Sequence, residues 1–288
     1  MCATPLGLGK PAPLLNALYA RAKANAKLHL SILTALSLEV PRAGSELERR
    51  FLDPYLQRTF AGVPALDYLG DLRANTLPPN IELFEFYFRP GAMLGIPYAQ
   101  QNYMSSNYTH AARDMLARGV NAVLVMVAER GGRYSLSCNP DLTADVVNAM
   151  RARGEPCIAV AAVNRNLPFM TGDAEVDAGF FDIVLDAPET THPLFGVPNP
   201  VIEPADHAIG IHASALVKDG GTLQLGIGSV ATRWRTGCAS GTSTPRPTPW
   251  RAAPFTANEA ARSSSAKAVS GLSRKDSSLR PRCSRGGS

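Results

Sequence analysis

The stretch Val120-Asn-Ala-Val-Leu-Val-Met-Val-Ala128 decides the fold. From Ala122 to Ala128 it carries no polar side chain, so neither face of a strand built from it can meet water. Seven residues are too few to cross a bilayer but enough for a strand buried on both sides, as in a parallel sheet. The flanks agree. Thr109–Arg118 has helical spacing and ends at Gly119, a C′ glycine, before the strand begins. Thr143–Arg153 repeats the pattern, closed by Gly154, and Cys157–Val163 is a second buried strand. Asp182–Leu185 reads as a shorter one.

The same alternation runs back to the N-terminus. Pro11–Ala24 places Leu14, Leu15 and Leu18 at helical spacing. Leu28–Val40 is read as a strand with its exit, and Ile81–Phe88 as an aromatic-rich strand. Ser45 and Glu48 have capping-box spacing and predict a helix start. Beyond a proline-rich stretch (Pro188–Pro204), Ala205–Val217 predicts a helix, Lys218–Gly221 a turn and Thr222–Ile227 a strand. Strand–helix–strand units of this kind give an α/β fold: an open, mostly parallel sheet with flanking helices. The expected organisation is a first domain over 5–200, the start of a second, truncated one over 201–230, and a basic tail over 231–288.

Charge separates body from tail. Residues 231–288 hold 11 Lys/Arg and 2 Asp/Glu of the chain's 29 and 24, so the tail nets +9 and residues 1–230 net −4. The overall +5 therefore describes the tail, and no nucleic-acid partner is expected for the folded part. The tail's Val, Leu and Phe residues are Phe255, Val269, Leu272 and Leu279. So little apolar surface cannot offset an ordering cost of about 1–2 kcal/mol per residue, and disorder is expected. The change of character falls inside a strand–turn–helix unit, which fits a shifted reading frame; a natural basic tail is the alternative.

Five cysteines, Cys2, Cys138, Cys157, Cys238 and Cys283, show no CxxC spacing, so neither a disulfide framework nor a metal site is indicated. A cytoplasmic setting and no membrane association are expected. His207 and His212 are five apart on a helix and point to different faces. Gly7-Leu8-Gly9-Lys10 lacks the glycine and hydroxyl positions of a phosphate loop and reads as a strand-to-helix turn. Gly226-Ile227-Gly228 begins a G-x-G-x-x-A pattern, but the acidic residue that a dinucleotide site needs about 20 positions on is absent.

Six segments, taken in order, carry a resemblance: Gly7–Lys10, Thr34–Glu39 (TALSLE), Gln101–His110 (QNYMSSNYTH), Ser135–Thr143 (SLSCNPDLT), Val163–Asp173 (VNRNLPFMTGD) and Asp206–Gly228 (DHAIGIHASALVKDGGTLQLGIG). Over about residues 5–229 the chain resembles the acetyl-CoA hydrolase/CoA-transferase family, which includes butyrate- and 4-hydroxybutyrate-type CoA-transferases. The resemblance implies two similar α/β domains with the site between them, a CoA thioester and a small carboxylate as substrates, and no metal or redox cofactor. It implies a glutamate that attacks the acyl-CoA carbonyl, giving a mixed anhydride and then a glutamyl-CoA thioester. The backbone N–H of Ile227, flanked by Gly226 and Gly228, is the implied oxyanion donor. Asn164, Pro168 and Gly172 match a loop near the domain interface; a plain strand exit would also use such residues. The nucleophilic glutamate has no counterpart here: its window reads Arg251-Ala252-Ala253-Pro254, and Glu259 is the tail's one glutamate. The expectation is a fragment without turnover, or a non-catalytic CoA-binding or interaction remnant. Acyl specificity and self-association stay open.

Overall fold

In the computed structural model the described residues are 1–5, 7–138, 140–196 and 203–214. They fall into two compact units, Met1–Gly196 and Val197–Ser288. The first unit runs β1 (Cys2–Ala3), α1 (Ala12–Ala24), β2 (Leu30–Thr34), α2 (Glu46–Thr59), α3 (Tyr68–Ala74), β3 (Ile81–Glu85), α4 (Pro97–Gln101), α5 (Tyr108–Ala117) and β4 (Ala122–Arg130). It continues with β5 (Arg133–Ser135), α6 (Thr143–Ala152), β6 (Ile158–Val163), β7 (Glu175–Val176) and β8 (Ile183–Leu185).

Pairing follows the apolar runs. β1 lies between β2 and β4, β3 is outside β2, β6 pairs with β4 and β8 with β6, all parallel. The order is thus β3-β2-β1-β4-β6-β8, reversing direction of growth between β1 and β4, as doubly wound sheets do. Helices cover both faces. Val123, Val125 and Val127 of β4 pack with Met115 of α5 and Val146 and Met150 of α6. Leu124 packs on the other face with Leu15 and Tyr19 of α1 and Leu69 and Leu72 of α3. This two-sided cover explains why the β4 run needs no alternation of polar residues.

Local signals hold at the ends. Ser45 Oγ accepts from Glu48 N–H at 3.2 Å, while the Glu48 carboxylate accepts from Gly44 N–H, one residue before the usual capping-box partner. Gly119 and Gly154 both take positive φ beyond their helices. Some boundaries differ from expectation. The β4 strand starts two residues later than Val120 and extends to Arg130, where Gly131-Gly132, both at positive φ, turn it into an antiparallel hairpin with β5. β7 pairs with β5 in turn. β3 stops at Glu85, whose carbonyl accepts from Met104 N–H on the strand's outer edge, while Phe86 N–H still donates to Thr34 O of β2.

In the second unit the described residues form one helix, α7 (Pro204–Ser214), with Pro204 at its start and the Asp206 carboxylate accepting from Glu203 N–H at 3.1 Å. The tail over 231–288 and the strand Thr222–Ile227 lie outside the described residues. Among the described residues no helix is long and apolar enough to cross a membrane.

Candidate functional site

Parallel strands end together, so the loops that follow them meet at one edge of the sheet. On the α1/α3 face that edge carries a cavity of about 480 Å³, counting the solvent at its mouth. The turn after β1 contributes Leu8 and Lys10, the exit of β2 contributes Leu38 and Val40, and β4 contributes Met126. Phe60, Val63, Pro64 and Leu66 line it from the link between α2 and α3. Its last wall is His192, Leu194 and Phe195, from the strap that ends the first unit. The strap is held down by the Phe60–Phe195 ring pair at 4.9 Å and by Gly196 N–H donating to Thr59 O at 3.0 Å.

Two polar groups interrupt this apolar lining. Lys10 is 4% exposed, and its ammonium donates to Ala35 O at 3.2 Å and, more weakly, to Ser37 Oγ at 3.4 Å. Ser37 passes its own hydrogen to the Glu85 carboxylate and accepts from the Tyr68 hydroxyl at 2.5 Å. Ammonium and carboxylate are thereby joined through a hydroxyl rather than in contact. Burial draws the Lys10 ammonium down to about 8, with Glu85 and Asp141 opposing the fall. Burial pushes the Glu85 carboxyl up, against the pull of Lys10 and Ser37. The Tyr68 hydroxyl is raised by burial and by Glu85. The quartet lies where β1, β2 and β3 end.

His192 is the second polar group. Its Nδ1 lies 2.9 Å from Pro193 O, a carbonyl that can only accept, so Nδ1 carries the hydrogen. Nε2 keeps a lone pair; it is buried and has no hydrogen-bond partner among the described residues. Such a lining can hold a small molecule with an aliphatic body and one anionic end.

Of the residues singled out from sequence, Asn164 stands behind this wall. It is fully buried; its Oδ1 accepts from Asn166 N–H at 2.9 Å and its Nδ2 donates to His192 O at 3.1 Å. Asn166 Nδ2 reaches the same carbonyl at 2.9 Å, and Thr190 Oγ1 donates to Val163 O at 2.6 Å. Asn164 therefore clamps the strap to the exit of β6. Pro168 O accepts from Ser137 Oγ at 2.8 Å and Gly172 opens a short 3-10 turn at φ +75°; neither lines the cavity. Gly226, Ile227, Gly228 and Glu259 lie outside the described residues. A smaller cavity of about 310 Å³ lies on the α5/α6 face, lined by residues that include Thr4, Phe86 and Asp141.

Sequence reasoning passed over Tyr68 and Glu85, met Ser37 and Lys10 only inside segments of the family resemblance, with Lys10 also read as a turn residue, and found no partner for His192. The available signal was positional: in the strand Ile81-Glu82-Leu83-Phe84-Glu85 the alternation puts Glu82 on the exposed face and Glu85 on the buried face with Ile81 and Leu83.

No protein-family model matches the chain. A curated relative, 4-hydroxybutyrate coenzyme A transferase of Clostridium kluyveri, is 30% identical over 113 residues, 38% of this chain and 24% of that protein. A solved mutant of RipA superposes with TM-score 0.52 at 20% identity, covering 83% of this chain and 48% of that one. A 4-hydroxybutyrate CoA-transferase structure from Porphyromonas gingivalis gives TM-score 0.44 at 17% identity, covering 82% and 46%. The chain thus spans about a quarter of the curated relative, and about half of these solved chains. The RipA superposition speaks for the fold; the curated relative supplies the sequence link. Part of this chain is thus similar in sequence to a 4-hydroxybutyrate coenzyme A transferase, and its mostly parallel α/β sheet has the fold of RipA.

Proposed function

We propose that this chain carries the N-terminal share of a protein that moves CoA between a thioester and a small carboxylate, or onto water. The observation that supports this most is the 30% identity over 113 residues with a 4-hydroxybutyrate coenzyme A transferase. The cavity at the sheet's carboxyl edge, apolar but for an ammonium and an imidazole, is compatible with an acyl group and its acid.

In the chemistry so proposed, a carboxylate attacks the thioester carbonyl and expels CoA thiolate, leaving a mixed anhydride. The thiolate then attacks the enzyme's own acyl carbon of that anhydride and releases the free acid. A carboxylate is a weak nucleophile, so the oxyanion must be stabilised; the N–H of Ile227 between Gly226 and Gly228 is the proposed donor. Beyond Gly228 the chain has one glutamate, Glu259, without the family's surrounding motif. We therefore expect this polypeptide to bind CoA thioester without turning it over. That non-catalytic binding is the second reading, and the lone glutamate is what favours it. The test is a thiol-release and acetate-exchange assay on acetyl-CoA and butyryl-CoA, run beside calorimetric titration of CoA. Saturable CoA binding with no thiol above blank is the expected result. Steady turnover would overturn the inactivity, and absence of CoA binding would overturn the CoA reading altogether.

A further inference from the structure

We infer that the cavity is an acid-binding site in which Lys10 Nζ holds the carboxylate of a short aliphatic acid. The inference deepens the reading above, since it names the residue that would meet the acid partner of CoA transfer.

Four observations carry it. First, an ammonium has three hydrogens to donate, and the described residues supply acceptors for two of them, Ala35 O and Ser37 Oγ, both at long distances. No carboxylate oxygen lies within ion-pair distance of Lys10 among the described residues, although the side chain is buried and lines the cavity. A buried charge without a contact partner is costly, and an anionic ligand end would relieve it. Second, Glu85 stands one hydroxyl away through Ser37. It keeps the ammonium charged without occupying it. Third, Leu38, Phe60, Leu66 and Leu194 form an aliphatic and aromatic lining for a short chain. Fourth, His192 Nε2 offers a lone pair from the strap side. A carboxylate is repelled there, so the anionic end belongs at Lys10, and a neutral donor group is what His192 would accept.

Protonation gives the site a pH signature. Lys10 titrates at about 8, so its positive charge, and the acid's affinity with it, fades as pH rises through that value. Glu85, Asp141, Tyr68 and His192 are the titratable groups around the ammonium and the cavity. Glu85 and Asp141 favour the charged form of Lys10, and burial opposes it.

The experiment is calorimetric titration of the full chain with butyrate and with butyramide, its neutral counterpart, for the unsubstituted protein and for Lys10→Met and Lys10→Arg. CoA is titrated into the same samples. Expected are saturable butyrate binding and butyramide binding weaker by about tenfold or more. Lys10→Met should lose at least about tenfold in butyrate affinity while Lys10→Arg keeps part of it. If Lys10→Met fails to fold, the unsubstituted protein still decides: its butyrate affinity should drop about tenfold per pH unit well above 8. No butyrate binding, equal affinity for butyrate and butyramide, unchanged affinity in folded Lys10→Met, or a pH-independent affinity between about 7 and 10 would each overturn the acid site. Butyrate binding without CoA binding would leave the acid site standing and remove the CoA reading. CoA binding with Lys10-independent butyrate binding would do the reverse.

Discussion

Replacing Asn164 by alanine tests whether this residue clamps the cavity's outer wall or serves a ligand. Its Oδ1 accepts from Asn166 N–H at 2.9 Å, and its Nδ2 donates to His192 O at 3.1 Å and approaches Met126 Sδ at 3.5 Å. In Asn164→Ala the Asn166 N–H loses its acceptor in a partly buried place, at a cost of about 1–3 kcal/mol. His192 O keeps Asn166 Nδ2, so that side loses only the net worth of one bond, about 0.5–1.5 kcal/mol. The total is about 1.5–4.5 kcal/mol. For a folded unit of about 200 residues this lowers the melting temperature by about 3–18 °C. Far-ultraviolet circular dichroism is the right probe. Trp234 and Trp250 are the chain's two tryptophans and both lie outside the described residues, so backbone dichroism rather than indole fluorescence reads this unit. Asn166→Ala, at an exposed position, removes one bond to His192 O and should cost less than Asn164→Ala. A melting curve for Asn164→Ala within about 2 °C of the unsubstituted protein, or a larger loss in Asn166→Ala, would refute the clamp.

Gly62 sits at φ +71°, and a Cβ there would lie 2.9 Å from Pro193 Cγ, so Gly62→Ala should cost about 1–2 kcal/mol from the backbone alone and push the strap outward; urea titration measures the loss. Phe60→Ala removes the ring that packs on Phe195 of the strap at 4.9 Å and should destabilise by about 3–5 kcal/mol, read from the same titration. Lys10 titrates at about 8 in the fold against 10.5 when unfolded, so the folded state holds fewer protons between those values and gains stability as pH rises through that window. Cys2 works oppositely above its ordinary 9.0, since burial pushes it up to about 12. Burial also raises the Cys138 and Cys157 thiols, so the urea midpoint should climb between about pH 7.5 and 9 and then turn down, and a flat course below that upper value would count against the buried ammonium. Glu85→Gln removes the charge that raises Lys10 most, so the pH at which butyrate affinity fades should move down.

The sheet was legible wherever long apolar runs demanded two-sided burial, as in β4 and β6. Elements too short to show a period were not: β1 is Cys2–Ala3 and gains its place from pairing with Ile32 and Leu33 on one side and Ala122 and Val123 on the other. The helix α3 spans seven residues and carries no capping hydrogen bond from the Asp67 side chain, so nothing local announced it. Helix ends read well at Ser45, Gly119 and Gly154 because capping chemistry is local. The cavity is the opposite case. Lys10, Ser37 and Glu85 come from three strand exits, and the bond from Asn164 to His192 spans 28 residues. Only the parallel pairing brings those exits together. Asn164 stood out in the sequence as a strand-exit residue, but its role depends on a partner that spacing cannot name.

The arrangement around Lys10 argues for a ligand on energetic grounds as well. A buried charge kept for stability would be expected to touch its counter-charge, because contact recovers the most Coulomb energy against the desolvation cost. Here Ser37 stands between Lys10 and Glu85, and Tyr68 fills the remaining lone pair of Ser37. Glu85 is thus held by its own hydrogen bond, while the ammonium finds acceptors for two of its three hydrogens among the described residues. Replacing Lys10 by methionine removes the desolvation cost and leaves Ser37 with its bonds to Glu85 and Tyr68. The Glu85 carboxylate would then be buried without the countercharge that holds it down, which costs up to about 3–5 kcal/mol unless the carboxyl takes up a proton. A charge held one hydroxyl short of its counter-charge, set where three strands end and on a side chain that lines a cavity, is best accounted for by what it binds.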